Sequence, residues 1–306
     1  MEVVRDHRDM PARGGTAVAI GNFDGVHVGH RALIDRAREL AAAHGLRAVA
    51  LTFDPHPSAV LSPHGAPPRV SSLARRLELL AAAGLDATVV EPFTRELAAY
   101  PADAFVDQIV LGALGARAIV VGYDFSYGHA RTGSPADLRA HGARAGARVE
   151  IVAPVEVGGE IASSSKIRAY LRAGDLAGAE RLLGRRWDID GTVVHGAKRG
   201  RAIGVPTANI APESDLAIAP GIYAVTLGVG GAVLPAVASL GTNPTFVDGG
   251  GLVLEVHVLD WDGDLYDRRV RTTFVSRLRD ELRFESVDAL ISQIKTDIER
   301  ARSVLS

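Results

Sequence analysis

Two histidines that frame a glycine are the residues of this chain whose types and spacing most clearly suggest chemistry. His27, Gly29 and His30 follow an apolar run at 17–20 and lie where a helical pattern begins. The apolar run has the composition of a buried parallel strand. The first turn of a helix offers free backbone N–H groups and the positive end of the helix dipole, so anions bind there readily. These residues therefore predict a phosphate site between a strand and a helix.

A second group of candidate phosphate ligands lies near the middle of the chain. Ser163, Ser164 and Ser165 precede a helical run at 169–173, and Arg168 follows one turn later. Serines at the start of a helix are also ordinary caps that need no further function. Three hydroxyls, free N–H groups and a guanidinium in one short segment would nevertheless suit a triphosphate.

Two loops that follow predicted strands could form other walls of the same site. The segment 54–57, DPHP, can be interpreted as a rigid proline turn or as a ligand contact. The segment 122–133 mixes glycine, aromatic and polar residues, which suits contact with a heteroaromatic ring, although a surface loop would need no ligand. The candidate side chains in the two loops are Asp54, Pro55, His56, Asp124, Phe125 and Tyr127.

Strands and amphipathic helices alternate through the first half of the chain. A strand, a helix and a parallel strand form a right-handed unit in nearly all proteins, and ligands bind at the carboxyl ends of the strands. The alternation predicts a doubly wound parallel sheet with the histidines at its ligand-binding edge. Strands are predicted at 17–20, 47–53, 87–90, 118–121 and 149–155, and helices after residue 30 and at 73–83 and 105–114.

Beyond Arg186 the long helical periods stop and short alternating segments follow, separated by glycine turns. This change predicts a small antiparallel barrel or sandwich and a domain boundary near residue 186, with domains 1–186 and 187–306. A final amphipathic helix, Val287–Leu305, has one apolar stripe and is assigned a structural role. Strands are predicted at 189–194, 221–229, 233–240, 252–260 and 269–274.

A glycine-rich basic loop at 195–209 carries the chemistry of the second half. Its composition suits phosphate binding, although it lacks the GK[ST] end of a P-loop. Pro206 stiffens the approach to Thr207 and Asn209, whose hard oxygen atoms could bind Mg²⁺ beside nucleotide phosphates. The candidate phosphate-binding residues of this loop are Gly196, Arg201 and Gly204.

The composition excludes several classes of function. The net charge of −2 gives no electrostatic argument for nucleic acid or an anionic membrane as partner. Because the chain has no cysteine, disulfides, thiolate catalysis and cysteine zinc sites are excluded. The N-terminal residues lack the apolar core of a secretory signal, and no uninterrupted apolar span reaches about 18 residues. We therefore expect a cytoplasmic protein without a membrane partner.

The order GxFDGxHxGH at 21–30 closely resembles the signature of the HxGH nucleotidylyltransferases, and within them the flavin adenylyltransferase half of bacterial bifunctional riboflavin kinase/FAD synthetases. TFDPHP at 52–57 is similar to the segment of that family at the same place, and 161–168 resembles its ISSTxxR motif. The resemblance implies that His27 and His30 stabilise charge on the triphosphate of ATP while pyrophosphate leaves. It also assigns ATP binding to Gly21, Phe23, Gly29 and the three serines, and catalysis to Arg168.

The second half carries further matches in the order of the same family. GRxxGxPTAN at 200–209 resembles the riboflavin kinase signature, which implies that Thr207 and Asn209 hold the metal and the ATP phosphates. The glutamate of LVLEVHVLD, Glu255, would be the general base. A carboxylate on the polar face of a strand is otherwise usually only solvated. The stretch 274–284, with Arg279 and Glu281, resembles the segment that closes over the flavin, and 220–224 and 243–246 also match.

The resemblance covers the chain from about residue 18 to the C-terminus. It implies an α/β protein with an N-terminal Rossmann-like nucleotidylyltransferase domain and a small antiparallel riboflavin kinase barrel. The implied reactions are phosphorylation of riboflavin to FMN and adenylylation of FMN to FAD with release of pyrophosphate. The implied partners are riboflavin, FMN, FAD, ATP and pyrophosphate, with Mg²⁺ accompanying ATP and no other tightly bound organic cofactor. A homo-oligomer is left open.

Three residues depart from the family pattern, and all three lie in the first half. Arg31 stands where glutamine is frequent, Ser126 where arginine is frequent, and Ser165 where threonine is usual. Two alternatives therefore stay open. The first is a riboflavin kinase whose N-terminal domain adenylylates another acceptor, such as a pantetheine or a nicotinamide nucleotide. The second is a flavin-binding regulatory module that has lost turnover.

Overall fold

A computed structural model describes residues 1–11, 14–62, 65–196, 204–242 and 252–306. The chain divides into two compact units. The first comprises Met1–Pro67 and Leu73–Ser163, and the second comprises Pro68–Ser72 and Ser164–Ser306. The domain boundary near residue 186 stays a prediction.

The first unit is built on a parallel sheet with helices on both faces. Its strands are β1 (Glu2–Val4), β2 (Thr16–Ile20), β3 (Arg47–Asp54), β4 (Ala87–Pro92), β5 (Ala116–Gly122) and β6 (Arg148–Val152). They are ordered β1-β4-β3-β2-β5-β6, and every neighbouring pair is parallel. The helices are α1 (Val28–His44), α2 (Pro57–Leu61), α3 (Leu73–Ala82), α4 (Arg95–Ala98), α5 (Ala102–Ala104), a π-helix (Phe105–Ala113) and α6 (Pro135–Arg144).

The central strand β2 is buried along its whole length because both faces of the sheet are covered. Ala17 and Ala19 pack in the same core as Ile34 of α1. Val18 and Ile20 face the opposite core, which includes residues of the π-helix. This two-sided burial explains why the strand is apolar throughout, with no alternation. It also makes a rigid base for the loop that leads to α1.

The second unit contains a closed antiparallel barrel. A short antiparallel pair, β7 (Glu156–Val157) and β8 (Glu160–Ile161), precedes it along the chain and belongs to the first unit. The elements of the second unit are α7 (Ser164–Ala173), α8 (Leu176–Leu183), β9 (Asp188–Val194), β10 (Ala208–Pro212), β11 (Gly221–Val229), β12 (Ala232–Thr242), β13 (Leu252–Val258), β14 (Arg269–Arg279) and α9 (Val287–Leu305). The barrel order is β10-β13-β12-β11-β14-β9. Trp187 and Tyr223 pack on Phe274, with ring centroids 4.9 and 5.3 Å from it.

The predicted fold class is confirmed, since a parallel sheet is followed by a barrel and a C-terminal helix. Several details of the prediction are wrong. The strand predicted to reach residue 155 ends at Val152. The helix predicted at 105–114 is confirmed, and it has the form of a π-helix. Strands β1 and β10 and helix α6 are absent from the prediction, because β1 is a three-residue edge strand and β10 lies between Pro206 and Pro212. Among the described residues, no helix combines the length and apolarity needed to cross a membrane.

Candidate active sites

The two histidines lie stacked at the start of α1. His27 is the N-cap residue, and its Nδ1 accepts a hydrogen bond from the His30 backbone N–H at 3.3 Å. The two imidazole rings are 3.6 Å apart between centroids and inclined by 18°. The Phe23 ring packs edge-on against His30 at 5.3 Å. The predicted pair is therefore brought together at the carboxyl edge of the sheet.

The surroundings of His30 favour its neutral form. Burial of the ring lowers the pKa of His30 well below its usual value, and the nearby charges of His27 and Arg76 act in the same direction. Its Nδ1 atom is buried and has no hydrogen-bond partner among the described residues. Buried polar atoms without partners are rare in folded proteins, and a catalytic role is one reason why such an atom is retained.

A side chain at Gly29 would crowd the His27 ring. A Cβ atom at this position would lie 3.0 Å from Cε1 and 3.1 Å from Nδ1 of His27, and 3.6 Å from the Ala162 carbonyl oxygen. The segment that leads to Ser163 thus passes beside the start of α1. At Gly21 a Cβ atom would be in ordinary contact with the Phe23 ring, at 3.4–3.5 Å, so packing does not demand glycine there.

The two candidate loops of the first unit have different structures. Asp54 ends β3, its peptide bond to Pro55 is cis, and His56 caps α2 by accepting a hydrogen bond from the Ser58 N–H at 3.2 Å. In the other loop Asp124 is exposed, whereas Tyr127 is buried in the core. Tyr127 and Phe125 rings stack at 5.5 Å.

The serine segment lies at the division between the units. Ser163 belongs to the first unit, whereas Ser164 and Ser165 begin α7 in the second. Arg168 donates a hydrogen bond to the Ser165 hydroxyl at 3.3 Å. The assignment of these residues to a triphosphate stays a prediction.

Two cavities border one threonine in the barrel unit. The first, about 470 Å³, is lined by Thr207 together with the segment Trp261 to Tyr266. The second, about 420 Å³, is lined by Thr207, Glu255 and the C-terminal helix α9. Thr207 thus contributes to the walls of both cavities. The structural role predicted for α9 is incomplete, since the helix also forms a cavity wall through Val287, Leu290, Ile294, Asp297 and Ile298.

Asn209, one of the two metal candidates, lies on the strand next to that of the predicted base, and Thr207 immediately precedes the same strand. Asn209 of β10 pairs directly with Glu255 of β13. The Asn209 side chain fills the space that a Cβ atom at Gly196 would need. His257 Nδ1 lies 2.8 Å from the Pro206 carbonyl oxygen, which can only accept, so the imidazole donates and ties the PTAN segment to β13.

Of the remaining candidates of the second unit, some line the second cavity and others lie outside the described residues. Arg279 lines the second cavity and forms an ion pair with Asp297 of α9, at 2.7 Å. Glu281 lines the same cavity, with its carboxylate against Gly241. Gly204 has a left-handed backbone, with φ of +79°. Arg201 and the segment 243–246 lie outside the described residues.

Sequence reasoning missed three groups of cavity or site residues. The DWDGD segment before Tyr266 looks like a simple turn, although its Trp261 is 39% exposed in the first cavity. A tryptophan two residues before a glycine, within an acidic turn, was the available signal. Asp297 and Arg76 give no local signal, because the charged residues beside them, Arg279 and Asp54, belong to other elements of the fold.

Two family models match the chain, one for each half. The model described as FAD synthetase matches residues 9–166, and the model described as riboflavin kinase matches residues 183–305. The two matches define the class as a nucleotidyltransferase joined to a small-molecule kinase.

Relatives of nearly the same length share this arrangement. A bifunctional riboflavin kinase/FMN adenylyltransferase of Pseudomonas fluorescens is 39% identical over 99% of this chain and 98% of its own. The protein of that name from Listeria monocytogenes is 38% identical, covering 94% and 91%, and that of Escherichia coli is 38% identical, covering 94% and 92%. The chain belongs to the family of bifunctional riboflavin kinase/FMN adenylyltransferases.

A solved structure is similar across the same extent. A protein of Streptococcus pneumoniae described as a macrolide-efflux protein has a TM-score of 0.88 and 32% identity, covering 98% of each chain. Its described activity differs from that of the relatives above, and the likeness of fold carries no activity by itself.

Proposed function

We propose that the barrel transfers the γ-phosphate of ATP to riboflavin, which gives FMN and ADP. The observation that supports this proposal most directly is the position of Thr207, which borders both cavities. Phosphoryl transfer depends mainly on positioning and on neutralising charge, so donor and acceptor must meet at one point. We assign ATP to the cavity with Trp261 and riboflavin to the cavity with Glu255. Both activities, riboflavin kinase and FMN adenylyltransferase, are those of the family.

Glu255 is assigned the proton acceptor role in the kinase reaction. The carboxylate lines the second cavity and takes the proton from the terminal hydroxyl of the ribityl chain as that oxygen bonds to the γ-phosphorus. The bond between the γ-phosphorus and the bridging oxygen of ADP breaks in the same transfer. His257 supports this arrangement by holding the Pro206 carbonyl.

The donor atoms beside Glu255 fit a magnesium ion. Thr207 and Asn209 supply hydroxyl and amide oxygens, the hard ligands that Mg²⁺ prefers. The Asn209 side chain is cradled by Gly196, where any Cβ atom would displace it. When bound with ATP, the ion would neutralise charge on the phosphates. Thr207 and Asn209 are the residues that would hold it.

The first unit is assigned adenylyl transfer to FMN. An FMN phosphate oxygen attacks the α-phosphorus of ATP, and the bond to the β-phosphate breaks, giving FAD and pyrophosphate. His27 and His30 lie at the N-terminal end of α1, where the helix dipole favours the charge of the phosphates. In the free protein the lowered pKa keeps His30 neutral, so that its ring can act as a hydrogen-bond partner. When phosphates are bound, their negative charge would raise this pKa and favour the protonated ring.

The acceptor of adenylyl transfer is tested by supplying ATP and Mg²⁺ with FMN, with phosphopantetheine or with nicotinamide mononucleotide, and measuring pyrophosphate release. The proposal predicts release with FMN and a rate lower by at least about 100-fold with the other two acceptors. Faster release with another acceptor would overturn the assignment to FMN. Because both reactions consume ATP, the cytoplasm is the proposed location.

A further inference from the structure

Arg76 of α3 is buried to an unusual degree for an arginine. It is 1% exposed and is among the largest fully buried side chains of the described residues. Burial of a guanidinium is expensive unless its N–H groups have partners. The contacts of this side chain therefore indicate what its burial achieves.

The guanidinium joins the loop that follows β2 to the carboxyl end of the neighbouring strand β3. One nitrogen, Nη1, donates to the Asn22 carbonyl at 2.9 Å, to the Phe53 carbonyl at 3.1 Å and to the Thr52 hydroxyl at 3.1 Å. The other, Nη2, lies 4.0 Å from the Asp54 carboxylate. Thr52 adds a link by donating its hydroxyl to the Asn22 carbonyl at 3.0 Å.

The loop after β2 and the end of β3 both lead to candidate residues of the first site. Asn22 lies between β2 and His27, and Asp54 begins the DPHP segment. Phe23 and Val26, in the first loop, have positive φ values of 50° and 42°. Non-glycine residues adopt such values at some cost, which surrounding contacts must offset. The Arg76 hydrogen bond to Asn22 is one such contact, immediately before Phe23.

We propose that Arg76 is a positioning residue for adenylyl transfer, which fixes the loop of His27 and His30 against the DPHP loop. The inference rests on the proposed adenylyltransferase function. Its charge also acts on His30, where it adds to the lowering of the pKa. Arginine suits this role because one planar group reaches several acceptors at once, whereas lysine offers a single ammonium. Arg76 itself need not touch either substrate.

The test uses the full chain with three variants, Arg76→Met, Arg76→Lys and Arg36→Met. Arg36 is a matched control, since it pairs with Glu39 and Glu150 on the surface of the same unit. For each variant, kcat and KM are measured for FMN to FAD and for riboflavin to FMN, together with thermal unfolding. Kinase activity in the same sample reports that the rest of the chain is intact.

We expect Arg76→Met to lower kcat of FAD formation by about 100-fold, because misplaced reacting groups lose rate on this scale. KM values should change by less than about threefold, and Arg76→Lys should recover about tenfold of the loss by retaining the charge. Kinase activity and Arg36→Met should match the parent. A kcat within about threefold of the parent in Arg76→Met would overturn the proposal.

Two further outcomes are also decisive. If Arg76→Met unfolds the first unit, the proposal is tested with the folded Arg76→Lys variant instead. An unchanged kcat of FAD formation in Arg76→Lys would then overturn the proposal. If the parent chain makes no FAD, the proposed adenylyltransferase function fails, which is distinct from an active parent that is indifferent to Arg76.

Discussion

Asn209 and Glu255 are directly paired across the antiparallel strands β10 and β13. Directly opposed residues in such a pair project to the same face, with Cβ atoms about 5 Å apart. A candidate ligand of the metal and the candidate base are therefore held by one backbone ladder. This relationship explains how the barrel can present both groups to a substrate without a mobile element.

The first prediction concerns the proton acceptor of the kinase. Glu255→Gln should lower riboflavin phosphorylation by at least about 100-fold, because the amide cannot accept the hydroxyl proton. Conversion of FMN to FAD should be unchanged, which a chromatographic assay with either flavin would measure. Asp288→Asn is the control, because it also replaces a carboxylate by an amide, at the exposed start of α9. Parallel loss of both reactions would contradict separate sites.

The second prediction concerns the histidine pair. His30→Ala should lower FAD formation from FMN by at least about 100-fold and leave FMN formation intact. His30 is the better choice for this test, because the His27 side chain also caps α1 and its loss would affect the helix. The ratio of the two rates in one sample is the measurement. A ratio equal to that of the parent would exclude His30 from catalysis.

The third prediction concerns the ion pair between α9 and β14. Asp297 is 2% exposed and binds Arg279 and Gln293. Asp297→Asn should raise KM for riboflavin about tenfold and lower the free energy of unfolding of the barrel by about 3 kcal/mol, because the partly buried Arg279 guanidinium loses its counter-ion.

Thermal unfolding and kinase kinetics would measure these effects. Gln293→Ala is the matched control, since it removes a hydrogen bond to Asp297 and leaves the ion pair. An Asp297→Asn variant with an unchanged KM would show that Arg279 does not depend on Asp297 for riboflavin binding.

The fourth prediction concerns the buried Tyr127. Burial, assisted by the charges of Asp137 and Asp103, raises the pKa of its phenol from 10.0 to about 12. The unfolded chain ionises first, so the stabilising contribution is complete below about pH 10 and declines as the pH rises towards 12. As the pH rises from about 10 to about 12, the free energy of unfolding of Tyr127→Phe should therefore fall less than that of the parent protein.

Thermal unfolding of both proteins at about pH 8 and pH 11 would test this expectation. An equal loss in both proteins would contradict it. The same variant also tests the predicted flavin contact at Tyr127, since a hydroxyl that binds flavin would make KM for FMN rise in Tyr127→Phe at neutral pH.

Short continuous segments are the part of this molecule that the sequence predicts well. The stacked histidines lie within a strand, a loop and a helix that are contiguous in the chain, so local patterns were sufficient to group His27, Gly29 and His30. Thr207 and Asn209 were also predicted from one segment. The family resemblance, and no local pattern, distinguished Glu255 from other carboxylates on sheet faces.

Contacts between distant segments could not be predicted in the same way. Arg76 meets its partners only where α3 packs against Asn22, in the loop after β2, and Phe53, near the end of β3. Asp297 looks like an ordinary polar residue of an amphipathic helix until β14 brings Arg279 against it. Sequence composition cannot separate an exposed aromatic residue from a buried one, so it did not show that the Tyr127 ring packs in the core. The flavin contact of Tyr127 stays a prediction.

The central claim is that one chain converts riboflavin to FAD in two steps. Its most direct test is a time course of the purified full chain with riboflavin, ATP and Mg²⁺, in which riboflavin, FMN and FAD are separated by chromatography. The account predicts that FMN appears first and that FAD follows, with release of pyrophosphate. A reaction that stops at FMN, with added FMN also unchanged, would contradict the assignment of FMN as the acceptor of the first unit.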